Sequence, residues 1–166
     1  MATETVATDR TAADPVVAEA VAAVTSRFAG QRGALLPILH ALQDEIGWVP
    51  DSAVPLIAEA LNLSRADVHG VVTFYHDFRR KPAGRHIVKI CRAEACKARG
   101  GDAIEVAAAE RLGTPMDSTR ADGRVTLEPI YCLGLCATGP NALVDGVPVS
   151  RLDAARLDRI AAQVAA

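Results

Sequence analysis

The four cysteines constrain this chain more than any other feature, because all of them lie in its second half and form two closely spaced pairs. The first pair, Cys91 and Cys96, has four residues between its members, and the second pair, Cys132 and Cys136, has three. Paired cysteines belong either to disulfide frameworks, which are typical of secreted proteins, or to metal and redox sites. Because 35 residues separate the two pairs, any common site requires a fold that brings them together.

Each pair follows a predicted strand. The segment His86–Cys91 alternates in polarity and is rich in β-branched residues, and Arg124–Ile130 is predicted as a second strand. Between them, the apolar spacing predicts a helix over roughly Lys97–Leu112. A strand, a helix and a strand in this order form a unit with parallel strands, whose carboxyl ends meet at one edge of a sheet. We therefore expect the two pairs to lie close together at that edge.

Two converging thiolate pairs favour an iron–sulfur cluster. A cluster held by four thiolates keeps a net negative charge, so it needs backbone N–H groups and positive charge around the sulfurs. The predicted helix begins just after the first pair, where its N-terminus favours an anion, and Arg92, Lys97 and Arg99 add positive charge. Gly134 lies in the middle of the second pair, and its lack of a Cβ is expected to let the backbone approach the sulfurs.

Three alternative roles for the cysteines stay open. A structural zinc site usually has two residues between paired cysteines, fewer than this chain has. A dithiol catalyst of the thioredoxin type also prefers the spacing C-x-x-C beside its first strand. Four unrelated buried cysteines would have no reason to fall into two pairs. Histidine ligands such as His69, His76 and His86 are not expected, because four cysteines already complete a ligand set.

The first half of the chain predicts helices only. Apolar residues recur at helical spacing in four segments, and the connections between these segments are short. Asp14 and Ser64 are typical N-terminal caps, and Gly47 is a typical helix stop. We predict a small helical bundle over residues 14–80, preceded by a disordered tail over residues 1–13.

Three aromatic residues follow one another near the end of the fourth predicted helix: Phe74, Tyr75 and Phe78. Large aromatic side chains dominate protein cores, so we predict that these three are buried. An exposed stripe that binds a partner protein is the alternative.

A basic segment with a proline and a glycine, Arg79–Gly84, separates the two halves of the chain and predicts a hinge between domains. Beyond it, the predicted order is strand, helix, strand, hairpin and helix, with Asp145 and Gly146 as the two-residue hairpin turn. This order predicts a small α/β sandwich with a mixed sheet, similar to the thioredoxin plan, over residues 84–166.

Charge and hydropathy argue against several functions. The formal net charge of −2 gives no electrostatic support for binding nucleic acid. No apolar run approaches the ~20 residues that span a bilayer, so no membrane insertion is expected. The first residues, with Glu4, Asp9 and Asp14, have the pattern of neither a secretory nor a mitochondrial leader. We expect a cytoplasmic protein, whose thiols stay reduced.

With these motifs in view, the chain resembles the 24-kDa-type [2Fe–2S] subunits in the NADH-oxidising arm of respiratory complex I, which have relatives in NAD-reducing hydrogenases and NAD-dependent formate dehydrogenases. The segments that carry the resemblance are Gly70–His76 (GVVTFYH), Lys81–Arg85 (KPAGR), Cys91–Cys96 (CRAEAC), Thr126–Glu128 (TLE) and Tyr131–Cys136 (YCLGLC). The resemblance implies an α+β chain in which an N-terminal helical bundle precedes an α/β, thioredoxin-like [2Fe–2S] ferredoxin domain. It also implies that one [2Fe–2S] cluster is bound by all four cysteines: Cys91, Cys96, Cys132 and Cys136.

Within this family, the chain resembles in particular the gamma subunit of soluble, molybdenum-containing, NAD-dependent formate dehydrogenase. The segments that carry this second resemblance are Cys91–Cys96 (CRAEAC), Tyr131–Pro140 (YCLGLCATGP) and Gly33–His40 (GALLPILH). They imply a non-catalytic electron-transfer subunit next to a flavin- and NAD-binding subunit and, through it, a molybdenum- and iron–sulfur-containing catalytic subunit. The resemblance also implies that FMN and NAD are bound by the partner, and this chain itself lacks the G-x-G-x-x-G pattern of dinucleotide sites. The alternatives are the equivalent subunit of an NAD-linked hydrogenase or complex I and, in another class, a zinc-stabilised interaction module.

Overall fold

The computed structural model describes residues 14–165, so the predicted tail over residues 1–13 lies outside the described residues. The chain divides after Pro82 into two compact units, each with its own hydrophobic core. In the described part of the chain, no helix has the length and apolar character that crossing a bilayer requires.

Within residues 14–82, the first unit consists of four helices, which are α1 (Pro15–Arg27), α2 (Leu35–Ile46), α3 (Ala53–Leu61) and α4 (Arg65–Phe74). Helix α1 packs on α2 and α3, and α4 packs on the same two helices. Apolar residues at helical spacing fill the interior, where the fully buried side chains include Val24, Ile38, Leu39, Leu42, Ile57 and Val68. The predicted helical region is confirmed, because the apolar stripe of each helix needs a partner helix to cover it.

Three helix ends follow from local signals. The Asp14 carboxylate accepts a hydrogen bond of 3.0 Å from the Val16 N–H at the start of α1. At the start of α4, Ser64 Oγ accepts from the Asp67 N–H at 3.1 Å, and the Asp67 carboxylate accepts from the Ser64 N–H at 3.3 Å. This reciprocal pair is a capping box. Helix α2 ends at Gly47, which is in the left-handed conformation, so the predicted caps and stop are confirmed.

Gly70, in the middle of α4, offers a stabilising substitution. It is exposed, its backbone is helical, and a Cβ built on it would meet nothing within 4 Å. Glycine in a helix interior costs about 0.5–1 kcal/mol relative to alanine, so we expect Gly70→Ala to raise the free energy of unfolding by that amount. Chemical denaturation of the purified chain measures the change. An unchanged or lower free energy of unfolding would contradict an open helical setting at this position.

The three aromatic residues near the end of α4 do not share one environment. Phe78 is 5% exposed, with its ring 4.9 Å from that of His40, as predicted for a core residue. Phe74 and Tyr75 are 72% and 44% exposed, so their predicted burial is wrong. Phe74 follows the buried Val72 by two positions, which is the far side of a helix. Helix α4 ends at Phe74, so helical spacing no longer applies to Tyr75.

Within residues 83–165, the second unit contains a five-stranded sheet in the order β2-β3-β1-β4-β5. Its strands are β1 (His86–Cys91), β2 (Ser118–Thr119), β3 (Val125–Ile130), β4 (Ala142–Val144) and β5 (Val147–Val149). Strands β1 and β3 are parallel and the other neighbouring strands are antiparallel, so the sheet is mixed, as predicted. The short edge strand β2 is an addition to the predicted strands.

Two longer helices complete the second unit. Helices α6 (Gly101–Leu112) and α7 (Ala154–Ala165) pack on one another and share a core with the strands. The fully buried residues of this core include Val88, Leu127, Ala108, Leu112, Leu157 and Val164. Helices and a mixed sheet that share one core form the predicted thioredoxin-like arrangement.

The predicted helix over residues 97–112 is wrong at its start. A one-turn helix, α5 (Glu94–Lys97), contains Cys96, and α6 begins only at Gly101. Gly100 has a left-handed backbone with a φ of 87°, which interrupts the helix. A Cβ on Gly101 would lie 2.7 Å from the carbonyl oxygen of Cys96, so α6 starts in close contact with the peptide that carries this cysteine. The first pair therefore lies beside a tight break between two helices and not at the N-terminus of one long helix.

Candidate metal centre

The two cysteine pairs lie at the carboxyl ends of neighbouring strands. The parallel register places Cys91, the last residue of β1, opposite Ile130, the last residue of β3. The N–H of Arg92 donates to the Ile130 carbonyl at 2.8 Å and extends the strand pairing by one step. Cys132 follows β3 by two residues, so the two cysteine segments start side by side, as the β-α-β order predicts.

The Cys91 sulfur receives hydrogen bonds from both cysteine segments. Burial raises the pKa of this thiol, but hydrogen bonds from the N–H groups of Ala93, Cys132 and Leu133 and from the Cys96 thiol outweigh it, so the pKa lies below its ordinary value. The donors on Cys132 and Leu133 belong to the second cysteine segment. These donors bring the two segments together around one buried sulfur.

Cys96 is buried as deeply as Cys91, since the two residues are 1% and 2% exposed. Burial and the nearby Cys91 sulfur raise the pKa of Cys96, although the backbone N–H and the side-chain amide of Asn141 act to lower it. Asn141 Nδ2 lies 3.7 Å from Cys96 Sγ. The hydrogen bond between the two thiols lowers the pKa of Cys91 and raises that of Cys96, so Cys91 is the more readily ionised of the pair.

The second pair is exposed where the first is buried. The sulfurs of Cys132 and Cys136 lie 3.7 Å apart. Two sulfurs on one tetrahedral metal ion, with bonds of about 2.3 Å, are separated by about 3.8 Å. The Cys132 sulfur raises the pKa of Cys136 through this contact. The second pair is therefore spaced to act as two ligands of one metal ion.

The loop between the two exposed cysteines turns its N–H groups toward sulfur. Cys132 and Gly134 have left-handed backbones, with φ of 71° and 74°, and the Gly134 N–H donates to Cys132 Sγ at 3.4 Å. Left-handed backbone costs a residue with a Cβ about 1–2 kcal/mol, so the fold holds Cys132 in an unfavourable conformation. A Cβ on Gly134 would meet nothing within 4 Å, so the predicted reason for this glycine, room for the backbone to approach the sulfurs, is wrong. Glycine is favoured at this position because the backbone has a positive φ.

The segment after the second pair approaches the first pair at Gly139. A Cβ on this glycine would lie 3.2 Å from Cys96 Sγ, so a larger residue would push against the sulfur. Arg99 Nε donates to the Gly139 carbonyl at 2.9 Å and ties this segment to the residues that follow α5. The positive charge of Arg99 consequently lies beside the cysteine segments, where it offsets negative charge on the thiolates.

The other two predicted cations contact carboxylates on α6. Arg92 Nε lies 2.8 Å from the Glu105 carboxylate, and Lys97 Nζ lies 4.0 Å from that of Asp102. Their charge is thereby partly neutralised. Of the three predicted cations, Arg99 is the one whose side chain contacts the residues that follow the second cysteine pair, through the Gly139 carbonyl.

Among the described residues, no histidine forms a metal-binding group of three or more side chains with the cysteines. The nearest in sequence to the first pair, His86, has its Nδ1 2.8 Å from the Asp145 carboxylate at the hairpin turn. Among residues 14–165, no three side chains of His, Cys, Asp or Glu gather into a site for a metal ion. The described sulfurs are instead arranged as two pairs.

Asn141 is the site residue that the sequence motifs do not indicate. It is 1% exposed, and its amide lies against Cys96. The available signal is a polar residue placed directly before the buried strand β4, because buried polar groups normally have a specific partner.

The donor set fits a [2Fe–2S] cluster. Thiolates are the usual ligands of such clusters, and two pairs match two irons with two thiolates each. Backbone N–H groups face the sulfurs of both pairs, and the glycine at 139 leaves room beside Cys96 Sγ. A four-thiolate cluster is anionic, and these donors provide the partial positive charge that it requires.

Comparison with known proteins agrees with this geometry. Residues 21–165 match the family described as thioredoxin-like [2Fe–2S] ferredoxin. The E subunit of NADH-quinone oxidoreductase from Pseudomonas aeruginosa is 40% identical over 114 residues, which cover 69% of each chain. The same subunit from Escherichia coli K12 is 38% identical over 127 residues, which cover 76% of each chain. A solved structure of an NAD+-reducing [NiFe]-hydrogenase in the air-oxidized state superposes with a TM-score of 0.67 at 25% identity, covering 80% of this chain and 23% of the hydrogenase chain.

The fold and the paired cysteines define an electron-transfer protein of the ferredoxin class. More specifically, the chain belongs to the thioredoxin-like [2Fe–2S] ferredoxin family, whose cofactor is one [2Fe–2S] cluster. The predicted fold class, family and cofactor are confirmed. The predicted role as an electron-transfer subunit agrees with the NADH dehydrogenase type of these relatives.

Proposed function

We propose that one [2Fe–2S] cluster is bound by all four cysteines, with Cys91 and Cys96 on one iron and Cys132 and Cys136 on the other. The observation that carries this proposal is that the segment after the second pair reaches the first pair: a Cβ on Gly139 would lie 3.2 Å from Cys96 Sγ. Such contacts between the segments support one common site. The separation of 3.7 Å between the sulfurs of the second pair supports their ligation of one iron.

The chain then acts as an electron-transfer subunit beside a flavin- and NAD-binding partner. When bound, a [2Fe–2S] cluster supplies one-electron chemistry, whereas NAD exchanges a hydride, so a flavin is needed between them. The residues of this chain hold the thiolates, donate N–H hydrogen bonds to them and keep water from the first pair. The exposed second pair supports electron exchange on its side, because a partner can approach it there.

Metal analysis tests the cluster. The chain purified without oxygen is expected to contain about two iron and two sulfide ions and to give an EPR signal after reduction by dithionite. A zinc-stabilised interaction module would instead be colourless and EPR-silent, although its sulfurs would have similar spacing. Zinc in place of iron and sulfide would contradict the proposal.

The complex that we propose is a cytoplasmic, NAD-dependent formate dehydrogenase with FMN and NAD on the partner and a molybdenum- and iron–sulfur-containing catalytic subunit beyond it. The support is the resemblance of Gly33–His40, Cys91–Cys96 and Tyr131–Pro140 to the gamma subunits of such enzymes. An NAD-linked hydrogenase and complex I are the alternatives, in line with the relatives above.

Purification of the intact complex through a tag on this chain distinguishes these alternatives. If the complex is a formate dehydrogenase, we expect molybdenum in the purified complex and formate-dependent reduction of NAD+. If it is a hydrogenase, we expect nickel and hydrogen-dependent reduction of NAD+. If it is complex I, we expect neither metal but several membrane subunits. A complex without molybdenum would contradict the formate proposal and leave the proposed cluster ligation intact.

A further inference from the structure

Asn141 is a buried polar residue that contacts both cysteine segments. Its backbone carbonyl accepts from the Cys91 N–H at 2.9 Å. Its side-chain Nδ2 donates to the Leu135 carbonyl at 2.7 Å and lies 3.7 Å from Cys96 Sγ. One side chain thus connects the loop of the second pair to a sulfur of the first pair.

The neighbours of the Asn141 amide define its orientation. The Leu135 carbonyl can only accept a hydrogen bond, so the NH2 group must face it. An amide nitrogen carries two hydrogens, and with one of them on Leu135 the other is available to the Cys96 sulfur. The Oδ1 atom lies 3.4 Å from the Thr138 hydroxyl on the other side. In a residue that is 1% exposed, water does not compete for these groups.

We propose that the Asn141 side chain donates an N–H···S hydrogen bond to Cys96 and thereby raises the reduction potential of the cluster. This inference rests on the proposed ligation by the four cysteines. Reduction adds one electron to an anionic centre and increases the negative charge on its sulfur ligands. A hydrogen-bond donor to a ligand sulfur stabilises the reduced state more than the oxidised state, so its loss favours the oxidised state.

Asn141→Leu tests the proposal, because leucine has a similar volume, keeps the backbone N–H of residue 141 and lacks the side-chain N–H donor. We expect the equilibrium constant for one-electron reduction to fall about tenfold, which corresponds to a potential lower by about 59 mV. The measurement is an EPR-monitored redox titration of the purified chain with its cluster, with dithionite as the reductant. An unchanged potential in a variant with full iron content would overturn the proposal.

Ser150→Ala is the matched control. Ser150 Oγ lies 3.1 Å from the Thr138 hydroxyl in the same polar network, and its removal leaves the Asn141 amide in place. We expect its reduction equilibrium to stay within about twofold of the wild type. A shift as large as that of Asn141→Leu would show that loosening of the loop is sufficient and would overturn the assignment to the N–H···S bond.

A measurement on the wild-type chain covers the case in which Asn141→Leu does not fold. The sequence has two asparagines, Asn62 and Asn141, so ¹⁵N in asparagine side chains marks only two amides. Pulsed EPR of the reduced chain is expected to detect hyperfine coupling to ¹⁵N. Asn62→Gly should preserve it, since Asn62 ends α3 in a left-handed conformation that glycine adopts readily.

The two proposals fail in different ways. Absence of ¹⁵N coupling in a chain with its full cluster would overturn the role of Asn141 alone. Absence of iron from the wild-type chain would overturn both the role of Asn141 and the proposed ligation.

Discussion

Replacing Cys96 by alanine is expected to lower the iron and acid-labile sulfide content of the purified chain by about tenfold or more. Cys96 is 1% exposed, so solvent is a poor substitute for its sulfur as a ligand. The four cysteines of the sequence all belong to the two pairs, so no further thiol can replace it. Iron and sulfide assays after anaerobic purification measure the loss, and circular dichroism shows whether the chain is still folded.

Two further variants make the Cys96→Ala result specific. His69→Ala, at an exposed histidine of the first unit, is expected to keep the full iron content. Cys136→Ser, at the exposed pair, is expected to lose less iron than Cys96→Ala, because a serine oxygen assisted by solvent can still bind metal there. Wild-type iron content in Cys96→Ala would show that the first pair does not bind the cluster.

Gly101→Ala is expected to destabilise the second unit by about 1–3 kcal/mol. The added Cβ would lie 2.7 Å from the carbonyl oxygen of Cys96 and 2.9 Å from its carbonyl carbon, and these backbone atoms cannot turn away as a side chain could. Relief of the clash has to move α6 or the peptide that carries Cys96. Native-state hydrogen exchange of Val88 and Ile90 in β1 measures the stability of this unit.

The adjacent Gly100→Ala is the control for Gly101→Ala. Its Cβ would meet nothing within 4 Å, so its cost is that of the left-handed backbone alone. We expect a smaller loss, of about 1 kcal/mol, from this variant. If Gly101→Ala were no more destabilising than Gly100→Ala, the close contact between α6 and Cys96 would not govern the stability of the second unit.

The elements whose bounds are predicted correctly are those that depend on contacts within a few residues. Strand β1 has the predicted bounds and helix α2 ends at the predicted stop, Gly47, because alternation and helix-end signals are local patterns. The hairpin turn also agrees, since Asp145 and Gly146 both have positive φ, of 50° and 81°. The position of the cysteine pairs at the ends of two strands follows from the same local patterns.

The features that are missed depend on contacts between distant residues. The break before α6 reflects packing on Cys96. The helical spacing of residues 97–112 does not indicate this break, and its one local sign in the sequence is a pair of adjacent glycines. The contact between Asn141 and Cys96 spans 45 positions of the chain. The exposure of Phe74 depends on which side of α4 the other helices cover.

Cysteine spacing and strand position are properties of short segments, so the sequence by itself indicates the four candidate ligands and their grouping into two pairs. The burial of one pair, the exposure of the other and the donors around each sulfur arise when β1, β3 and the residues before β4 assemble into one sheet. Because reduction potential depends on those donors and on solvent exposure, the redox properties of the site belong to the assembled fold.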